Sequence, residues 1–366
     1  MRILIIITDN FSYGGTSRFL ERLMIINDRN GVESALLVPV QYCNNSLVSL
    51  AAQHGVKLYS AVNRTRVNTL PLLTPIFDFL FAWRAIISWR PDLLVVSTGD
   101  PGRMSVALYF PIPALYILHT VPETRFRFLP RLYLHMGSLL NNRIVTVSKT
   151  AAESISTTMG IAPDRISVVY NSCRLIKNKQ KASSAIVITA GHLVPYKNPF
   201  VWLRVAQCVI RQRTDIMFIW LGDGEFLEPL RDMVKTLGLE KHVLLPGVVS
   251  DPSKWYDRSQ VYFQPSLRES HGIAVLEAMA HGLPCVVSDI GGLPESVVDE
   301  KTGFVCPSED ETGFVDRILD LLGDPSLRKR MGAAGRQRVE HCFSETEQEQ
   351  KIIALYNVLV KNSDMQ

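Results

Sequence analysis

The chain alternates short apolar runs with segments whose apolar residues recur every three or four positions. The runs are rich in Val, Ile and Leu: RILIII, ESALLVPV, DLLVVS, ALYILHT and RIVTVS, then AIVITAG, MFIWLGDG, HVLLPG, VYFQPS and PCVVSD. Continuous apolar strands separated by helical segments predict parallel sheets covered by helices on both faces. The series breaks at CRLIKNKQKASS, which is polar, basic and without period, and reads as a linker. The pattern predicts two doubly wound α/β domains, residues 1–173 and 185–342, joined by 174–184. Beyond them, 343–366 reads as a final helix, with Ser344 as N-cap candidate and Ile352, Leu355, Val358 and Leu359 spaced for one apolar face. Nothing in the sequence says where that helix docks.

Composition narrows the picture slightly. With 366 residues, 47% of them hydrophobic, the chain can bury two sizeable cores. Six cysteines, at positions 43, 173, 208, 285, 306 and 342, show neither a C-x-x-C pair nor metal-ligand spacing, so they are expected to be reduced and mostly packing residues. No small-residue cleavage site follows MRILIIITDN, and the apolar stretch 70–89 is interrupted by Pro71, Pro75, Asp78 and Arg84. A cytoplasmic protein without a spanning helix is therefore expected. Charge is uneven: residues 1–172 carry 16 Lys and Arg against 10 Asp and Glu, and the remainder 23 against 25. The basic half contains TRFRFLPRLYLHMGSLL, where Arg125, Arg127 and Arg131 interleave with Phe126, Phe128, Leu129, Leu132, Tyr133 and Met136. Such a segment suits peripheral contact with an anionic membrane, and equally a helix packed on its own sheet. No nucleic-acid-binding module is present.

Candidate chemistry gathers after the strands of the second half. ESHGIAVLEAMAHG sets Glu269 and Glu277 eight residues apart. Ile273, Leu276, Ala280 and Leu283 predict a helix after Gly272, ended by Gly282. A rise of about 1.5 Å per residue puts the carboxylates roughly 10 to 12 Å apart, with a glycine-opened helix N-terminus between them. That arrangement suits a ligand with hydroxyls at both ends and phosphate in the middle, whereas on an ordinary amphipathic helix the two glutamates are simply solvated. AGHLVPYKNP, LGDGE, QPSLRES and SDIGGLPES follow other strands, and contribute Gly191, Gly222, Gly224, Gly291 and Gly292 for close backbone approach and Lys197 for a phosphate.

The ordered series GHLVPYKNP, WLGDGEFLEPL, HVLLPGVV, QPSLRESHGIAVLEAMAHGLPCVVSDIGGLPE and TGFV resembles that of the family-4, or group 1, retaining glycosyltransferases of the GT-B fold. YGGTSRFLERL, LHT, TVSKTAAESI and VVYNS precede it in the family's order. The resemblance implies two Rossmann-like domains facing across a cleft, acceptor-binding first and nucleotide-sugar-binding second. It implies transfer of a sugar, with retention, from a nucleotide-sugar to a glycan or lipid-linked acceptor. A UDP-sugar is the expected donor and a GDP-sugar the alternative.

By the same resemblance Glu269 would hold hydroxyls of the donor sugar and Glu277 those of the ribose, the diphosphate lying over His271, Gly272 and Ile273. Ionised carboxylates only accept hydrogen bonds, which suits hydroxyls. Lys197 would meet the charge on the leaving diphosphate, Gly222, Asp223 and Gly224 would approach the donor, and Gly14 and Gly15 match the family's glycine pair. His119 matches a histidine near the reacting sugar, so Lys197, Glu269 and His119 are the candidate catalytic residues. His192 stands where the family usually has arginine: it works protonated, or the charge comes from elsewhere, or activity is weaker. Asn171-Ser172 replaces a frequent Asn-Gly. There is no D-x-D, so no metal is expected, and no cofactor, the nucleotide-sugar being a substrate. No carboxylate is evidently placed as a nucleophile, which favours front-face displacement. Two alternatives are a nucleotide-sugar epimerase of the same architecture and a non-catalytic nucleotide-sugar-binding partner subunit, the latter suggested by His192.

Overall fold

A computed structural model of the protein describes residues 1–7, 15–39, 46–61, 74–98, 110–120, 142–176 and 185–363. Residues group into two units, Met1–Tyr170 with Glu349–Gln366, and Asn171–Gln348. The first contains seven strands: β1 (Arg2–Ile7), β2 (Glu33–Pro39), β3 (Lys57–Ala61), β4 (Leu93–Thr98), β5 (Ala114–Leu118), β6 (Arg143–Thr146) and β7 (Ile166–Val168). They pair in parallel in the order β3-β2-β1-β4-β5-β6-β7. Alternation along β1 makes the layers. Ile3, Ile5 and Ile7 face α1 (Gly15–Arg29) and α2 (Ser46–Gln53). Leu4 and Ile6 lie on the other face with Ala82, Ala85 and Ile86 of α3 (Thr74–Trp89) and Ile155 and Met159 of α4 (Lys149–Met159). Both faces are apolar because both are covered.

The second unit repeats the plan with six strands: β8 (Ala185–Ala190), β9 (Ile216–Leu221), β10 (Val243–Gly247), β11 (Val261–Gln264), β12 (Cys285–Ser288) and β13 (Gly303–Cys306). These are also parallel, in the order β10-β9-β8-β11-β12-β13. Its helices are α5 (Pro199–Gln212), α6 (Leu227–Thr236), α7 (Ser253–Arg258), α8 (Ile273–Ala280), α9 (Leu293–Ser296), α10 (Glu311–Gly323) and α11 (Pro325–Cys342). One core joins Val187, Phe218, Trp220, Phe263 and Val286 of the sheet to Trp202 and Leu203 of α5, Leu230 of α6 and Phe314 and Ile318 of α10. The α/β class and doubly wound topology read from the apolar runs are those of each unit.

The C-terminal helix, α12 (Glu345–Ser363), joins the core of the first unit, where Ile352, Tyr356 and Leu359 pack with α1 and the sheet. Val358, placed on the apolar face by its spacing, is 42% exposed, and Tyr356 takes that position instead. Glu349 secures the contact by accepting from Asn30 Nδ2 at 2.8 Å, with Arg22 at 3.8 Å. The basic aromatic segment 124–140 lies outside the described residues, as does Cys43. Among the described residues no helix is long and apolar enough to cross a membrane, and the described cysteines are free thiols.

Because Tyr356 is fully buried against α1 and the sheet, Tyr356→Ala should lower unfolding stability by about 3 kcal/mol in a denaturant titration. A loss below roughly 1 kcal/mol would mean that α12 is not part of this core.

Candidate functional site

Strand order in the second sheet reverses direction between β8 and β11, and a doubly wound sheet opens its crevice at that switch point. Two loops meet there. The loop after β8 runs through Gly191 and His192 into a 3₁₀ turn, Pro195–Lys197, and the loop after β11 runs from Pro265 to Gly272. They are joined in three ways. Leu267 N–H donates to the Tyr196 carbonyl at 2.8 Å, Lys197 Nζ forms an ion pair with Glu269 Oε2, and the Arg268 guanidinium lies over the Tyr196 ring at 5.1 Å. The Lys197 and Glu269 side chains are only 14% and 15% exposed, so each charge depends on the other.

Behind this pair lies a buried polar chain. Gln264 ends β11, and its Nε2 donates to the same Glu269 Oε2 at 2.8 Å and to Ser266 Oγ at 3.1 Å. The Gln264 carbonyl oxygen accepts from the Tyr262 hydroxyl at 2.7 Å. Burial is the main reason the Tyr262 phenol titrates well above its ordinary value, so it remains a donor.

Glu277 stands on α8. Gly272, with φ 83°, turns the chain into the helix, and the first intrahelical bonds run from Val275 and Leu276 to its carbonyl. The amides of Ile273 and Ala274 therefore lead α8 without an acceptor inside it. Tyr256 of α7, buried, donates to Glu277 Oε2 at 3.4 Å, and its phenol is raised first by burial and then by that carboxylate. The helix closes at Ala280, with Gly282 at φ 69° and its N–H on the Met279 carbonyl. Leu283, counted into the helix by its spacing, lies past the end, where its N–H bonds the Ala278 carbonyl. His271 is buried edge-on against Phe343, and burial drives its imidazole down to about 4, so the ring is neutral.

The glycines have a cause that the sequence did not show. A Cβ on Gly222 would lie 2.0 Å from the Gly191 carbonyl oxygen, one on Gly224 2.4 Å from that of Leu193, and one on Gly291 1.8 Å from that of Glu269. These glycines let neighbouring loops stack backbone on backbone. The Gly222 amide donates to Gly247, and that of Gly224 to the Asp223 carboxylate at 2.7 Å. Asp223 thus closes its own turn.

In the first unit Gly15 opens α1, while Gly14 is outside the described residues. His119 follows β5, is 8% exposed, lies edge-on to Phe19, and has Nε2 3.0 Å from Ser97 Oγ. Burial lowers its imidazole to about 3, so it is uncharged at neutral pH. His192 is exposed beside Gly191. Sequence reasoning brought Lys197 and Glu269 to one edge but missed Gln264, Tyr262 and Tyr256. The available signal was a glutamine closing the otherwise apolar strand VYFQ.

Residues 174–338 match the family described as Glycosyl transferases group 1, and residues 13–175 match Glycosyltransferase Family 4. The UDP-Gal:alpha-D-GlcNAc-diphosphoundecaprenol alpha-1,3-galactosyltransferase of Escherichia coli is 30% identical over 290 residues, 72% of this chain and 74% of that one. The N-acetyl-alpha-D-glucosaminyl L-malate synthase of Bacillus anthracis is 32% identical over 145 residues, 40% of this chain and 37% of its own length. Among solved structures, a glycosyltransferase from Rickettsia africae superposes with a TM-score of 0.81 at 16% identity, covering 98% of this chain and 99% of that one. HepE of Anabaena, in complex with UDP and glucose, gives 0.78 at 18% identity, covering 97% and 99%. The chain belongs to the group 1, family 4 glycosyltransferases, of the GT-B fold.

Gly291 combines a φ of 59° with the contact on the Glu269 carbonyl, so Gly291→Ala should cost more than about 2 kcal/mol of stability. Gly31→Ala, at φ 64° with nothing near its Cβ, should cost only about 1 kcal/mol. Equal losses in a denaturant titration would remove the steric explanation for Gly291.

Proposed function

We propose that the protein transfers a sugar from a UDP-sugar to a hydroxyl of a lipid-linked glycan precursor, with retention at the anomeric carbon and without a metal ion. The observation that carries this reading is the Lys197–Glu269 pair at the switch point of the second sheet. A diphosphate entering there competes for Lys197 as a full anion, and the freed carboxylate is an acceptor suited to sugar hydroxyls. Each group then has a partner of matching chemistry. Glu277 takes the ribose hydroxyls, and the amides leading α8 face the phosphates, with Gly222, Asp223 and Gly224 shaping the adjoining turn.

The relatives support the choice of donor and acceptor. The Escherichia coli protein is named for a UDP-Gal donor and a diphosphoundecaprenol-linked acceptor, and HepE was solved with UDP and glucose. A Staphylococcus aureus relative, 23% identical, is named for capsular polysaccharide biosynthesis. A lipid-linked acceptor would put the work at a membrane surface, and the basic, aromatic sequence of 124–140 suits contact with anionic lipid.

In the reaction the acceptor oxygen bonds to the anomeric carbon on the face from which the diphosphate leaves. As the bond between the anomeric carbon and the diphosphate oxygen breaks, the acceptor's proton passes to the departing phosphate. Lys197 acts where charge develops, and the absence of D-x-D assigns that charge to Lys197, the amides and the helix dipole. His119, neutral, hydrogen-bonds near the reacting sugar and offsets no charge. Arg268, beside Tyr196, brings a second cation to the turn that carries Lys197, where His192 replaces the usual arginine. The exposed His192 favours one second reading, a partner subunit that binds donor and transfers nothing.

Product analysis with a labelled donor separates these readings: an α-linked product by NMR supports transfer with retention, and donor bound but unchanged supports the subunit. Lys197→Ala should lower kcat roughly a hundred- to a thousandfold, the cost of one electrostatic donor at a developing charge. Glu277→Ala should mainly raise the donor KM, and Glu269→Ala should lower kcat as the ring loses its attack geometry. Full turnover in all three variants would reduce Lys197, Glu269 and Glu277 to structural roles.

Transfer in excess chelator should keep most of its rate. Complete loss, restored by magnesium or manganese, would overturn the metal-free mechanism.

A further inference from the structure

One hydrogen bond reaches the Glu269 carboxylate from the core of the domain, that of Gln264, and what it does follows from its polarity. This inference rests on the donor reading above. Glu269 accepts on Oε2 from two groups, the Lys197 ammonium and the Gln264 amide. A carboxylate cannot donate, so Gln264 must present its NH₂ to Glu269 and its carbonyl oxygen to the other side. There it meets the hydroxyl of Tyr262, a residue with no exposed surface, which donates at 2.7 Å. The chain therefore has one direction, from Tyr262 through Gln264 to Glu269. Turning the amide over would set its oxygen against the carboxylate and leave the Tyr262 hydroxyl only the longer bond to the Ala190 carbonyl, at 3.4 Å.

A donor diphosphate draws Lys197 away from Glu269, and the carboxylate then loses its charged partner at the moment it must hold the sugar. A side chain on a loop would follow its cation. Gln264, on a strand and 2% exposed, cannot follow. We propose that Tyr262 and Gln264 form a positioning relay that holds Glu269 on the donor sugar when Lys197 exchanges it for the diphosphate. The relay keeps Oε2 occupied, and Oε1 is left to accept from the sugar. Neither residue touches substrate; both act through Glu269.

The relay predicts a defect confined to the sugar. Affinities for UDP, UDP-glucose, UDP-galactose and UDP-N-acetylglucosamine would be measured by calorimetry on the full chain, and the ratio of each UDP-sugar to UDP compared with wild type at the same pH. Tyr262→Phe and Gln264→Leu should lower that ratio, Gln264→Leu by roughly tenfold, the size of one charge-assisted hydrogen bond, with UDP affinity unchanged. Tyr262→Phe keeps the buried ring, so it reports even where Gln264→Leu folds poorly.

Gln264→Glu is the diagnostic variant. At pH 8 two carboxylates face each other and the ratio should fall. Toward pH 5.5 one shared proton restores a donor to Glu269 and the ratio should recover, while the wild-type ratio stays flat. The groups bearing on that pair are Lys197 from the 3₁₀ turn, Arg268 and the neutral His271 on the same loop as Glu269, Tyr262 on β11 and, around Tyr262, Tyr256 of α7, Glu277 of α8 and Cys285 of β12. An unchanged ratio in Tyr262→Phe and Gln264→Leu overturns the relay, and so does a Gln264→Glu loss with no recovery in acid, which is packing damage. Absence of nucleotide binding by wild type overturns the donor reading and the relay together.

Discussion

The partly buried ion pair between Lys197 and Glu269 is the constraint around which the head of the second sheet is organised. Removing two charges from water is costly, and attraction between them offsets that cost only when their geometry is held and their other lone pairs are met. Three elements do the holding: the 3₁₀ turn after β8, the loop after β11, and the backbone bond from Leu267 to Tyr196 between them. Gln264 supplies the additional hydrogen bond. A pair built this way keeps each charge partnered, and on the function proposed above a ligand bringing its own negative charge would exchange with Glu269 for Lys197.

The glycines extend the same constraint into the backbone. Gly291 and Gly292 press against the carbonyls of Glu269 and Ser270, and the Gly292 N–H donates to Glu269 O at 3.1 Å. Gly222 and Gly224 do the same for Gly191 and Leu193. Four strand-end loops thus become one stacked layer, in which Lys197 and Glu269 cannot shift independently. Rigid loops at a sheet edge preorganise charged groups, and preorganised charge stabilises a developing charge without reorganising first.

Most of the sheet framework was legible in the sequence because both faces of each sheet are covered. A strand buried on two sides must be apolar throughout, and ten such runs stand out from their surroundings. The strands that escaped, β3, β7 and β13, lie at sheet edges and are three to five residues long. An edge strand packs less of itself, so KLYSA and ISV carry little apolar signal. The docking of α12 was illegible for another reason. Its partners, Asn30 and Arg22 for Glu349, lie more than three hundred residues away in sequence, and no local period encodes them. Val358 shows the limit of spacing alone, since a tyrosine two residues earlier fills the core position in its place.

At the site, sequence located the groups that carry charge and missed the groups that aim them. Lys197 and Glu269 are recognisable as charged residues beside glycine turns at strand ends, and Glu277 by its spacing of eight residues from Glu269. Gln264, Tyr262 and Tyr256 lie inside segments that read as core, and a buried polar side chain resembles its apolar neighbours until its hydrogen bonds are known. Polarity separates the two kinds of residue. Tyr262 and Tyr256 are tilted neighbours, 6.3 Å apart, each donating toward one of the two carboxylate systems. Burial raises both phenols well above their ordinary value, so both are donors at neutral pH. Glu269, through Gln264, and Glu277, directly, are therefore each backed by a buried phenol, which on the proposed function would aim one carboxylate at the sugar and the other at the ribose from inside the domain.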